Sequence, residues 1–434
     1  MKLNLLSAML AGSSFLFLTA CGGGDGNSDS PSTTTNVNAD INNIQNPVVS
    51  TPEPYKIEGN TLPPNAADSV VMTYKMKGIT GQETQATTLV FTPKTAPPTG
   101  GWPIVVWAHG AVGVADKCAP SKQKLITSLL PGVEDKSTYN MIDSFVKEGY
   151  VVVAPNYEGL GEPSVPEEIV DKEIHPFLNL KSEAYSITDA VVATKSWLGN
   201  KASNKWAVAG TSQGGHAALG AAQYAARANM DYKGAVAFAP ANNLKLIEEL
   251  SEMALANMED LSLPQTLGYV VLDTLTAYMA AGMKSVYPSE AVYSKIFKSP
   301  SDKVAEQAES LCLIELGLQF LGPIATYTNA NEGSLKGYSW RKNEGFKSDP
   351  IVKQFLEKDS QPLQTVVKTP IIIYQGGSDT IVLPQATDAL VAQARALTTK
   401  IDYRTDPTWT HFSVYTVNVE NGNLLKDIKA LLAD

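Results

Sequence analysis

Five short, almost continuous apolar runs constrain this chain more than any other feature: residues 103–108, 150–154, 206–209, 235–239 and 370–374. Runs apolar at every position mark strands buried on both faces, as in a parallel sheet covered by helices on each side. Helical stretches fall between and after them at 139–148, 182–198, 214–228 and 384–397, and 423–433 is an amphipathic helix near the C-terminus. The alternation predicts an α/β fold with a mostly parallel central sheet and helices on both faces. Segments 69–80 and 85–92 alternate or are rich in β-branched residues, and Gly81-Gln82 joins them as a meander at one sheet edge. In such a sheet the working residues stand in the loops after the C-terminal ends of strands.

Residues 241–349 break the alternation and carry helical, apolar patches at 267–279 and 311–324. Because this stretch follows a sheet strand, it is expected to be an inserted helical cap, or lid, over the site; ordinary helical core is the alternative. Glu315 and Pro323 within the second patch argue against a membrane helix. The expected core is then 55–240 together with 350–434.

The N-terminus reads as an address. Residues 1–20 carry one cation, Lys2, then an apolar stretch to Leu18 and small residues before Cys21, the pattern of a secretory signal. Leu18-Thr19-Ala20-Cys21 also resembles the lipobox of bacterial lipoproteins. That resemblance implies cleavage before Cys21, lipidation of Cys21 and attachment to a membrane on the periplasmic or outer surface. Residues 21–54 are mostly Gly, Ser, Thr, Asn and Pro and are expected to be a flexible tether, since they hold too little apolar area to repay ordering. With Cys21 set aside, only Cys118 and Cys312 remain, and an oxidising compartment favours their joining; two buried free thiols are the alternative.

Composition removes other classes. Lys+Arg 34 against Asp+Glu 44 gives a net charge of −10 with no basic block, so nucleic acid is not an expected partner. The chain has no His-Glu-x-x-His, no Cys-x-x-Cys and no Gly-x-x-x-x-Gly-Lys-Ser/Thr, so neither metal nor nucleotide has a recognisable site and no cofactor is expected.

Directly after the run 206–209 stands Gly210-Thr211-Ser212-Gln213-Gly214, followed by a helix-forming stretch. A bare Gly-x-Ser-x-Gly says little, but between a strand and a helix it makes a nucleophile elbow. There the serine takes a strained backbone, and Gly210 and Gly214 remove side chains that would collide. A serine hydroxyl needs a base, and the base needs a carboxylate to orient it. Of the four histidines, at 109, 175, 216 and 411, only His411 follows the late strands, after the expected last strand 400–404. The acid should follow the strand 370–374, where Gln375-Gly376-Gly377-Ser378-Asp379 makes Asp379 the choice, with Asp388, Asp402 and Asp406 as substitutes. Oxyanion donors are expected from the main chain of Gln213 and from the loop His109-Gly110-Ala111, with Ala111 N–H or its neighbour Gly110 favoured. His109 is expected to hold that loop, and His216 to be a packed structural residue.

Together, Trp107-Ala108-His109-Gly110, Lys117-Cys118-Ala119-Pro120-Ser121, Ala154-Pro155-Asn156-Tyr157-Glu158-Gly159-Leu160-Gly161, His175-Pro176-Phe177-Leu178 and Gly210 to Gly215 resemble the secretory lipase family of α/β-hydrolases. The resemblance spans residues 102–240 and 370–412 and leaves the cap and the tether unmatched. It implies hydrolysis of acyl esters by Ser212, Asp379 and His411 without a cofactor, beneath a helical lid. It also implies that Cys118 bonds a lid cysteine, which here is Cys312. Asn156 departs from the motif, where Asp is expected. The reading is therefore a lipase or esterase; a serine peptidase or amidase on the same fold and a non-catalytic surface binding lipoprotein are the alternatives.

Overall fold

The computed structural model describes residues 40–125, 136–161 and 173–433. The signal segment 1–20, Cys21 and the tether up to residue 39 lie outside the described residues.

The centre is a nine-stranded sheet built from β1 (Glu53–Pro54), β2 (Ala66–Lys77), β3 (Glu83–Pro93), β4 (Trp102–Ala108), β5 (Val151–Pro155), β6 (Ala202–Thr211), β7 (Asp231–Phe238), β8 (Ile371–Gly376) and β9 (Ile401–Asp406). Their spatial order is β1-β2-β3-β5-β4-β6-β7-β8-β9. From β5 to β9 every pairing is parallel, whereas the β1, β2 and β3 edge is antiparallel and joins β5 antiparallel. The mostly parallel sheet expected from the alternating runs is present, in the α/β-hydrolase architecture that the motif resemblance implies.

Those runs are apolar throughout because their alternate residues serve different cores. Ile104, Val106, Val151, Val153, Ile371 and Ile373 join one buried cluster. Their neighbours Val105, Trp107, Val152, Ala154, Ile372 and Tyr374 join another on the opposite face, following the two-residue period of a strand. Helices α1 (Ser137–Lys147), α2 (Leu180–Leu198) and α3 (Gln213–Tyr224) follow the early strands; α3 is shorter than the expected 214–228, its last residues forming a tighter turn at Ala225–Ala228.

Between β7 and β8 run α4 (Leu244–Ala256), α5 (Leu263–Val286), the short α6 (Val292–Ile296) and α7 (Ser301–Ala305), α8 (Leu313–Ala330) and α9 (Pro350–Gln354). They share a hydrophobic cluster with the loops after β4 and before α2, in which Tyr278, Met283, Phe297 and Phe320 join Val114, Phe177 and Leu178. Val352, Phe355 and Leu356 belong to it as well. Among the described residues no helix is long and apolar enough to cross a membrane. The chain ends with α10 (Pro384–Ala396), α11 (Ser413–Glu420) and α12 (Asn423–Leu432).

The tether expected to run to residue 54 meets the body earlier. Asp40 pairs with Lys77 at 2.8 Å and accepts from Tyr185 Oη at 2.9 Å, while its carbonyl accepts from Arg227 at 2.8 Å. Asn42 donates to Asp189 at 2.8 Å, and Val48 bridges Tyr74. Polar groups at Asp40 and Asn42 hold the start of this stretch and Val48 packs on the core, contacts that composition does not record.

Candidate active site

β4 lies between β5 and β6, so the chain leaves β4 toward one side of the sheet and β6 toward the other. The crevice between the C-terminal ends of β4 and β6 is where an open α/β sheet presents its ligands. Ser212 follows β6 there, and His109-Gly110 follows β4.

Ser212 has φ +57° and ψ −117°, a backbone conformation costly for any residue with a side chain. Its surroundings hold it. A Cβ on Gly210 would stand 2.1 Å from the Gly214 carbonyl oxygen, and one on Gly214 would stand 1.9 Å from that of Ala108, so both positions require glycine. Helix α3 begins immediately after the serine and continues the turn.

Ser212 Oγ–H faces His411 Nε2 at 3.0 Å, and His411 Nδ1–H donates to Asp379 Oδ2 at 2.9 Å. His411 and Asp379 are buried. Asp379 Oδ1 accepts from the main-chain N–H groups of Ile381 (2.8 Å) and Val382 (2.9 Å), which fix the carboxylate. The loops after β8 and β9 are stitched together by Gly377 N–H to the Asp406 carbonyl at 2.8 Å and Ser378 N–H to the Trp409 carbonyl at 2.9 Å. The three substitute acids are engaged elsewhere: Asp388 accepts from Tyr403 Oη, Asp402 pairs with Arg404, and Asp406 accepts from Thr408. A hydroxyl in contact with an imidazole whose far nitrogen donates to a carboxylate can pass its proton to that imidazole.

The loop after β4 lies against this group. A Cβ on Gly110 would be 3.8 Å from Ser212 Cβ. His109 Nδ1–H donates to the Gly110 carbonyl at 2.7 Å, its carbonyl accepts from Tyr157 Oη at 2.9 Å, and burial lowers its pKa to about 4, so it braces the loop as a neutral ring. Ala111 packs on the cluster beneath the inserted helices. Asn156, the departure from the motif, is buried and uses its amide as a double donor, to Thr87 Oγ1 at 2.7 Å and Ser121 Oγ at 2.6 Å, a role closed to a carboxylate.

Cys118 and Cys312 form a disulfide with their Cα atoms 5.5 Å apart. Beside it Leu313 N–H donates to the Val112 carbonyl at 3.0 Å and Gly113 bridges Cys312, so α8 starts against the loop that carries Ala111. His216 is fully buried between Glu183 Oε2, 2.6 Å from Nδ1, and the Ser360 carbonyl, 3.0 Å from Nε2. Glu183 escaped the sequence reading, since nothing in the spacing of α2 marks one carboxylate as facing α3. Among the described residues no group of three or more His, Cys, Asp or Glu side chains is placed to hold a metal ion.

The sequence model of one family, Secretory lipase, matches residues 126–429. It runs through residues 241–349, which the motif resemblance left unmatched, and it begins after the motifs at 107–110 and 117–121. No curated protein sequence matches the chain. Among solved structures, Candida antarctica lipase A in its closed state is similar at a TM-score of 0.64 and 17% identity, covering 89% of this chain and 82% of that one. The rice cell wall degrading esterase LipA from Xanthomonas oryzae is similar at a TM-score of 0.54 and 18% identity, covering 84% and 89% respectively. At these identities the likeness is one of fold.

Proposed function

The chain belongs to the secretory lipase family, and from that premise we propose that it is a lipase or esterase that hydrolyses acyl esters through Ser212, His411 and Asp379. The hydrogen-bonded series from Ser212 Oγ through His411 to Asp379 is the observation that carries the reading.

Ser212 Oγ attacks the ester carbonyl while His411 Nε2 takes its proton, and Asp379 keeps His411 in the tautomer that can accept. The oxyanion of the tetrahedral intermediate is received by the main-chain N–H of Gln213 and that of Ala111 or Gly110. Collapse expels the alcohol, which leaves with the proton held on His411. Water then attacks the acyl-enzyme with His411 again as base, and Ser212 is regenerated. No cofactor enters these steps.

Residues 241–349 serve as the lid over this site, with apolar side chains on α5 and α8 meeting the lipid phase. The protein is exported through the signal in 1–20, lipidated at Cys21 and held by the residues between Cys21 and Asp40 to a membrane surface. Lipobox spacing and the small-residue composition of this stretch support that part of the reading.

The test is hydrolysis of a short-chain and a long-chain p-nitrophenyl ester by the protein from residue 40 onward, beside Ser212→Ala. Long-chain turnover lost in the variant supports a lipase, and short-chain turnover alone an esterase with a confined pocket. Turnover that ignores Ser212 would sink the assignment and bring a peptidase or a binding protein forward.

A further inference from the structure

Behind the nucleophile runs a buried polar series that the steps above leave unused. Gln213, the residue after Ser212, is 1% exposed. Its side-chain amide donates to His175 Nε2 at 2.7 Å and to Glu183 Oε1 at 2.8 Å. His175 can only accept at Nε2, because its Nδ1–H donates to the Glu158 carbonyl at 2.8 Å and burial pushes its pKa down to about 3. Glu183 Oε1 also accepts from Leu178 N–H at 3.1 Å, and Glu183 Oε2 meets His216, which in turn meets the Ser360 carbonyl.

Burying this many polar groups is costly, and apolar side chains of the same volume would pack the space at lower cost. The series converges on one residue, and that residue carries the N–H required at the oxyanion. Its peptide follows a serine held at positive φ, and the Ser212 carbonyl of that peptide accepts from His216 N–H at 3.0 Å and Ala241 N–H at 3.1 Å. Those bonds hold one edge of the peptide, and a side chain clamped by two acceptors holds the Gln213 Cα at the other. His216, set between Glu183 Oε2 and the Ser360 carbonyl, holds that carboxylate in place behind Gln213.

We propose that Gln213 is a positioning residue, whose side chain, gripped by His175 and Glu183 and backed by His216, aims its own main-chain N–H at the tetrahedral oxyanion. The proposal rests on the ester-hydrolase reading. In Gln213→Met, which keeps the volume and removes both donors, kcat on p-nitrophenyl butyrate is expected to fall about 10- to 100-fold, part of what a lost oxyanion donor costs, with KM unchanged. The Ki of phenylboronic acid, which forms a tetrahedral adduct on the serine, should rise by the factor by which kcat/KM falls. A kcat and Ki equal to wild type in the folded variant would overturn the proposal.

A second variant guards against an elbow that fails to fold. His175→Phe, which removes one acceptor of the Gln213 amide and leaves the elbow residues in place, should raise the Ki of phenylboronic acid by the factor by which its kcat/KM falls. A kcat and Ki equal to wild type in this variant would overturn the grip on the side chain. Labelling of Ser212 by a fluorophosphonate separates the two ideas: no labelling of the wild type sinks the hydrolase reading and the proposal with it, whereas labelling together with an unimpaired Gln213→Met sinks the proposal alone.

Discussion

Asp379 and Asp402 are alike in sequence, each close to a late strand, and their surroundings separate them. Asp379 is buried against His411, while Asp402 is exposed and paired with Arg404 at 2.6 Å. Asp379→Asn should lower kcat by about 10³- to 10⁴-fold, because the amide favours the wrong imidazole tautomer, and Asp402→Asn should leave the rate of ester hydrolysis unchanged. Glu158 shows a different effect of burial. Desolvation pushes its carboxyl up to about 7, against hydrogen bonds from Ser182, Ile79 N–H and Gln82 that favour the anion. Between pH 4.5, the ordinary value, and about 7, the unfolded chain has lost this proton and the folded chain keeps it, so stability falls as pH rises through that window. Glu158→Gln lacks this loss. Relative to wild type its unfolding free energy should gain roughly 2 to 3 kcal/mol between pH 4.5 and 8, read by urea denaturation at each pH.

At the scale of elements, the join between α8 and the loop after β4 deserves the weight, since three links meet there. The disulfide is flanked by Leu313 N–H to the Val112 carbonyl and by the ion pair Lys117 with Glu315 at 2.8 Å. The exposed ion pair adds little, whereas the covalent link closes a span of 194 residues and restricts the unfolded chain. Replacing both cysteines by serine should cost about 2 to 5 kcal/mol of stability, seen as a lower thermal midpoint. The same variant should also lose kcat on p-nitrophenyl butyrate at temperatures where it remains folded, because the loop bearing Ala111 loses its anchor. The N-terminal strap belongs here too: residues 40–42 fall in the expected tether, yet Asp189 on α2 and Arg227 in the tighter turn after α3, both buried, grip them.

At the scale of the molecule, most of the exposed large apolar side chains among the described residues lie between β7 and β8. Leu263, Leu267 and Val271 on α5 and Ile314, Leu318 and Leu321 on α8 are open to solvent, Leu263 at 70% and Leu318 at 60%. The helices lie side by side, since a Cβ on Gly317 would meet Val270 at 3.4 Å, and the only charged side chains along them are Asp273, Lys284 and Glu315. Such a face suits a lipid phase better than water. Leu267→Asp together with Leu318→Asp should weaken adsorption to an emulsified long-chain ester by about tenfold or more, since each buried leucine is worth some 1.5 to 3 kcal/mol. Hydrolysis of a dissolved short-chain ester should be unchanged. Loss of both activities together would count against this face as the lipid contact.

Strand runs and the glycine-flanked turn around Ser212 were legible in the chain because each depends on local physics: a two-residue period, and glycines where a strand turns sharply into a helix. The order of serine, acid and histidine was an expectation carried by the fold. His411 could be found by elimination among four histidines. The contacts of Gln213, Glu183, His175 and His216 could not, for these residues come from a loop and two helices, and no local pattern records which buried carboxylate will face which ring. The docking of residues 40–48 was hidden for the same reason. The sequence by itself determined which segments form the buried parallel strands and where a strand turns sharply into a helix at Ser212, while β1 went unread inside the expected tether. Tertiary structure decided which polar groups meet behind it, because hydrogen-bond partners distant in the chain are chosen only when the layers close.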